Sequence, residues 1–162
     1  MKFNTTEFKN NQLIIKGRKS PFAIRATLTV VLLICILIPI IVATSLMSER
    51  KGPHIGLFLG FFFLWGLGFY LLRIILWNTY GREVLTFESD KIIYEADYGF
   101  FKDGKTIIST TNIELTAIPY ANEKIPLGVF GLSNEEKQIT TVLKLPIEEL
   151  NKLKSEIEGR FI

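Results

Sequence analysis

Two apolar runs decide the architecture of this chain: ATLTVVLLICILIPIIVATSLMS, residues 26–48, and IGLFLGFFFLWGLGFYLL, residues 55–72. The first carries no charge over 23 positions and the second none over 18, after which Arg73 is followed by IILW. A helix of about 20 such residues matches a hydrocarbon layer of about 30 Å. Apolarity that is continuous rather than alternating selects helices over barrel strands as the spanning element. The spacing predicts helices over about 22–48 and 55–77, joined by the short connection MSERKGPH into a transmembrane hairpin over 26–77. A basic segment, 1–25, precedes it, and 78–162 is long enough for one small soluble unit. The expected class is an α+β membrane protein: a two-helix hairpin, then a small antiparallel β-sandwich or barrel closed by a C-terminal amphipathic helix.

The net charge of +3 averages two unlike parts. Residues 1–77 hold nine Lys/Arg and two Glu, a net +7, whereas residues 78–162 hold ten Lys/Arg and fourteen Asp/Glu, a net −4. A basic excess of this kind beside apolar spans reads as an orientation signal, and nucleic acid is not expected as a partner. The flank up to Arg25 is net +5 and the 47–54 connection only +1, with Arg73 and Arg82 following the second run. Both termini are therefore expected on the cytoplasmic side. A cleaved signal peptide fits poorly, because the first run exceeds a signal's apolar region of about 7–15 residues and a second run follows at once.

Several residues are candidates for contact with the lipid–water boundary. Lys16, Arg18, Lys19 and Arg25 form a juxtamembrane cluster that serves as a positive-inside signal or touches anionic headgroups. Arg73, four residues before Trp77, can extend to the headgroups, and Trp77 with Tyr80 reads as an aromatic belt. Gly56 and Gly60 form a GxxxG pattern, expected to pack the second helix on its hairpin partner or on another copy. Pro39 is expected to bend the first helix.

After Gly81 the pattern turns to short strands. REVLTFES and KIIYEADYGF alternate, and Asp103-Gly104 in FKDGK signals a hairpin. TIISTTNIEL reads as a strand with a bulge near Asn112, and Pro119 marks a strand at a sheet edge. IPLGVFGLSNEEK is turn-rich through Gly128 and Gly131, and QITTVLKL is β-prone. About six strands follow Tyr80, with a seventh where the Leu13–Ile15 burst, bounded as a strand over 12–16, joins the sheet. The close, 146–158, sets Ile147, Leu150, Leu153 and Ile157 on one helical face, with Pro146 at the first position and Gly159 as cap.

Chemistry-bearing patterns are sparse. One His (His54) and one Cys (Cys35) supply no metal cluster and no Cys–His or Ser–His–Asp set. No phosphate-cradling glycine loop occurs, and the carboxylate pairs Glu135–Glu136 and Glu148–Glu149 are adjacent residues that diverge. A non-enzymatic protein without cofactor is expected.

Meandering strands closed by one helix, hung on a two-helix hairpin, resemble the bacterial pleckstrin-homology-like membrane proteins. The GREVLTFESDKIIYEADYGFF block and the LPIEELNKLKSEI helix carry the resemblance. It implies an interaction module rather than a catalyst. Binding of phosphoinositides through a basic pocket, common in the eukaryotic fold, is countered by the net −4 and by the dispersal of Lys91, Lys102, Lys105, Lys124 and Lys137. Only Lys102 and Lys105, at the expected hairpin tip, could begin a headgroup site. A protein partner in the membrane or cytoplasm is therefore the leading expectation. Anionic-lipid sensing is the alternative, and a small transport or channel subunit the third.

Overall fold

In a computed structural model, described for residues 4–49, 55–120 and 126–161, the chain divides into two compact units. One is Lys19–Thr79; the other combines Met1–Arg18 with Tyr80–Ile162. His54, Arg50, Lys51 and Lys124 lie outside the described residues.

The helical unit is built from α1 (Phe22–Ser48) and α2 (Ile55–Tyr80). At 1.5 Å per residue they are about 40 Å long, more than a hydrocarbon core requires. Both are long and apolar enough to cross a membrane. The chain itself covers little of them: of α1 only Cys35 and Pro39 are buried, and of α2 only Gly68 and Leu76. Helix α1 runs unbroken through Pro39. Helix polar groups are tied up internally, as the hydroxyls of Thr27, Thr29 and Thr79 donate to the carbonyls of Ala23, Arg25 and Ile75.

The β unit holds two antiparallel sheets. The first, in chain order, comprises β1 (Thr5–Lys9), β2 (Gln12–Lys16), β3 (Arg82–Phe87), β4 (Lys91–Asp97) and β5 (Lys102–Ser109). The second has β6 (Glu114–Pro119), β7 (Leu127–Ser133) and β8 (Gln138–Thr140), with β9 (Leu145–Pro146) paired to the other end of β7. Helix α3 (Ile147–Phe161) follows directly. The inward faces meet in one core: Leu13, Ile15, Leu85, Phe87, Ile92 and Ile108 from the first sheet, and Leu115, Phe130, Leu132, Ile139 and Leu145 from the second. Leu150, Leu153 and Ile157 on α3 complete it, and Phe161 stacks on Phe87 at 4.9 Å.

Several expectations give way here. The β unit is not confined to 78–162, because β1 and β2 precede the helices and β2 pairs along its length with β3. Asn10 and Asn11 both take positive φ, 50° and 59°, the geometry of a two-residue hairpin that asparagine tolerates. Their turn makes the N-terminal segment a β-hairpin rather than a basic tail. The barrel alternative fails, since β1 and β5 remain edges of one sheet and β6 and β8 edges of the other. Side chains, not a ladder, bridge β5 to the β7–β8 turn: Lys137 Nζ donates to the Ile107 carbonyl and Asn134 Nδ2 to that of Ser109.

Asp103-Gly104 lies inside β5, where Gly104 (φ 65°) accommodates a bulge opposite Glu95. The actual hairpin loop is Gly99-Phe100, closed by Tyr98 N donating to Phe101 O at 2.9 Å. Lys102 and Lys105 consequently do not share a tip. Asn112 (φ 53°) belongs to a turn separating β5 from β6, so TIISTTNIEL is two strands. The glycine-bearing stretch around Gly128 and Gly131 is the central strand of the second sheet. A Cβ on Gly128 would meet the Ile118 carbonyl oxygen at 2.7 Å, so glycine there serves strand-to-strand approach instead of a turn. Pro146 sits in β9, and α3 passes through Gly159 to Phe161. Among the described residues seven strands follow Tyr80 and two precede α1.

Candidate functional site

Strand β3 carries the polar centre of the β unit. Its alternation places Glu83 in phase with Leu85 and Phe87, facing inward, and Glu83 is fully buried. Three donors meet its carboxylate. Tyr94 Oη donates to Oε1 at 2.6 Å, the Val142 backbone N–H to Oε1 at 2.7 Å, and the Leu143 N–H to Oε2 at 2.9 Å. The carboxylate thus joins β3 and β4 of the first sheet to the segment between β8 and β9 of the second. Burial first, and the Glu83 carboxylate second, hold the Tyr94 phenol protonated well beyond its ordinary range. Nearby, Thr141 Oγ1 accepts from Phe130 N at 2.8 Å, which satisfies a buried hydroxyl on the same segment.

A second buried carboxylate, Asp97, ends β4 on the opposite face of the sheet. Arg82, its register partner, donates to it through Nε at 2.9 Å and approaches through Nη2 at 2.8 Å. Its other oxygen accepts the Gly99 N–H at 2.7 Å. Asp97 therefore fixes the loop Gly99-Phe100, in which Gly99 has φ 89° and packs against Tyr80. The Phe100 ring stands edge-on to Tyr80, centroids 5.9 Å apart, and Tyr98 stacks on Phe101 at 4.7 Å.

The residues expected at a lipid boundary separate between the two units. In the β unit, Lys16 pairs with Glu7 and holds that exposed carboxyl below its usual range. Arg18 is exposed, and Asn4 accepts its backbone N–H at 2.8 Å. Gly17 N donates to Gly81 O at 3.0 Å, so Lys16, Arg18, Tyr80 and Arg82 share one rim. In the helical unit, Lys19 is exposed, whereas Arg25 Nε is shut off from solvent without a hydrogen-bond partner among the described residues. Arg73 and Trp77 are half-buried and engaged with neighbours. Ser20 clamps to Asn78 twice, N to O at 3.1 Å and Oγ to Oδ1 at 2.9 Å.

Gly56 and Gly60 do not make the helix–helix contact: a Cβ on either would meet nothing within 4 Å. Gly68 does, lying where a Cβ would be 3.5 Å from Leu32 and 3.7 Å from Cys35 of α1. Its place in the sequence, after Gly66 in a glycine-rich run, offers no cue to which glycine faces the partner.

Two surface hollows complete the β unit. One, about 280 Å³, is lined by Ser109, Thr111, Asn112, Asn134, Glu135 and Glu136. The other, about 350 Å³, lies between β1 and α3 beside Thr6, Phe8, Glu149 and Lys152. Among the described residues no group of three or more His, Cys, Asp and Glu is placed to hold a metal ion. Neither Glu83 nor Asp97 was singled out by motif. The signal that could have found Glu83 is an acid in the core phase of REVLTF.

No protein-family model, curated protein or solved structure matches this chain.

Proposed function

We propose that this chain is an integral membrane protein whose two helices span the bilayer and whose β unit is a pleckstrin-homology-like, non-catalytic interaction module at the cytoplasmic face. The observation that carries the reading is the pair of apolar helices, each about 40 Å long, of which the chain buries only Cys35, Pro39, Gly68 and Leu76. In water such a surface would far exceed what a soluble monomer exposes. The basic flank and the nearly neutral connection support cytoplasmic termini. Two sheets around one core with a closing C-terminal helix support the pleckstrin-homology-like reading. The buried carboxylates support a structural role for themselves, because backbone and side-chain donors already occupy their oxygens.

The partner proposed first is a protein in or on the membrane. Full-length protein drawn from its native membrane in mild detergent is expected to carry that partner in stoichiometric amount. Recovery of the protein alone, with anionic lipid retained, refutes this and favours lipid sensing. One observation raises that second reading. Met1–Arg18 contributes four Lys/Arg and one Glu to the β unit, so its formal charge is −1 instead of the −4 of residues 78–162. Repulsion from an anionic leaflet is correspondingly weak.

A further inference from the structure

We infer that the Gly99-Phe100 loop is a lipid-interface anchor: its Phe100 ring, with Tyr80, enters the headgroup layer of the bilayer in which α2 ends. The inference rests on the membrane-spanning reading above and adds to it a surface of the β unit that faces lipid.

Phe100 is 79% exposed and Tyr80 is 51% exposed, the two rings packed edge-on at 5.9 Å. A lone exposed aromatic needs no explanation. This one is different in being held. The loop has two residues, with Gly99 in the positive-φ position, and is locked by the Asp97 carboxylate on the Gly99 N–H and by Arg82 on Asp97. A Cβ at position 99 would fall 2.9 Å from Tyr80 Cβ, so the loop backbone lies directly on that tyrosine. A buried carboxylate and its half-exposed arginine partner thus hold an apolar ring to the outside.

The depth of the ring follows from the chain. Tyr80 ends α2, three residues beyond Trp77, a rise of about 4.5 Å. The interfacial layer on each side of the hydrocarbon is about 5–7 Å thick. With Trp77 at the hydrocarbon boundary, Tyr80 falls inside that layer, and a ring in contact with Tyr80 stays within its reach. Aromatic rings favour this zone because one layer accommodates both their apolar body and their quadrupole. The charges agree with it. Arg18 is exposed, and the side chains of Lys16 and Arg82 are 47% and 42% exposed, along the rim that Gly17 and Gly81 close. Lys16 and Arg82 are ion-paired with Glu7 and Asp97, so Arg18 is the cation of this rim offered to lipid phosphates. A soluble protein partner at the same rim would have to compete with the headgroups for it.

The test uses the full chain carrying Cys35→Ala, reconstituted into vesicles of phosphatidylcholine and phosphatidylglycerol. A nitroxide is attached at Phe100→Cys or, as reference, at Leu37→Cys, and its depth is read by oxygen and nickel-chelate relaxation. The expected result is a label at position 37 deep in hydrocarbon and one at position 100 at headgroup level. A water-exposed label at position 100 with position 37 deep overturns the anchor and leaves the spanning reading intact. Water exposure at both positions overturns the spanning reading, and the anchor falls with it. A second probe guards against a perturbing label: Phe100→Trp adds emission that lipid brominated near the headgroup quenches, and unquenched added emission also overturns the anchor.

Discussion

Removing the Glu83 carboxylate tests whether the two sheets are held by a polar lock as well as by their shared core. Glu83→Ala leaves three donors without their acceptor: Tyr94 Oη, Val142 N–H and Leu143 N–H. Each hydrogen bond to a charged group contributes about 1.5–3 kcal/mol. The sum is smaller, because Val142 as a residue is 66% exposed and water can reach its amide once the segment relaxes. A loss of about 3–5 kcal/mol is expected, a large share of the roughly 5–15 kcal/mol of a typical domain. Glu83→Gln retains one acceptor oxygen but opposes an amide N–H with its own NH₂, and should cost about 1–3 kcal/mol. The assay is hydrogen exchange on the full-length protein in lipid nanodiscs, read on peptides covering 138–146. A 3 kcal/mol loss corresponds to local opening increased roughly 10²-fold, since about 1.4 kcal/mol is one decade. Glu83→Ala should therefore release Val142 and Leu143 first, ahead of α3. Unchanged exchange at these amides in Glu83→Ala would refute the lock.

Three further outcomes follow from particular contacts. The unfolded chain ionises Tyr94 from pH about 10 upward, while the folded chain keeps it protonated. Its contribution is therefore complete below pH 10 and declines as pH rises beyond it, and Tyr94→Phe should flatten the alkaline fall in the denaturation midpoint; an identical profile would count against it. Gly128→Ala forces a Cβ into the Ile118 carbonyl at 2.7 Å and Leu150 Cδ1 at 3.0 Å, so a loss of about 1–3 kcal/mol is expected in thermal unfolding, and a neutral variant would contradict this close approach. Gly68→Leu should lower the melting temperature in mild detergent by overpacking Leu32 and Cys35, whereas Gly56→Leu and Gly60→Leu should be neutral; the reverse order would show the helices pairing through the other glycines.

The helices were legible because each signal is long and local: more than a dozen consecutive apolar residues need no partner to be recognised. The strand over 12–16 was legible for the related reason that turn residues bound it. What escaped is pairing. Asn10-Asn11 looked like a strand boundary and is a hairpin, because the strand on its far side, TTEFK, has a single large apolar residue, Phe8. Gly128 and Gly131 looked like turn residues and occupy a central strand, since only the neighbouring strand explains why a side chain is excluded there. Asp103-Gly104 carries a strong hairpin signal, yet the loop forms at Gly99-Phe100, where the Asp97 carboxylate, outside the turn, accepts the Gly99 N–H. Within the rim, Tyr80 and Arg18 were identifiable from their position beside the apolar runs. Phe100 and the Asp97–Arg82 pair were not, since they reach the rim only through the register of β3 on β4.

That register has a consequence for assembly. β2 and β3 are adjacent antiparallel strands, so the whole helical pair is an insertion between two halves of one strand pairing. Joining Lys16 to Arg82 across a disordered connection of about 65 residues would cost roughly 3–4 kcal/mol in closure entropy. Paired helices remove most of that cost, because Ser20 and Asn78 already hold the two ends of the insertion together. The Gly17–Gly81 hydrogen bond then begins the β2–β3 ladder with its strands in register. Loss of the Ser20–Asn78 clamp should accordingly slow formation of the first sheet while leaving its core contacts unchanged. This is the behaviour of an interaction that acts on closure rather than on packing.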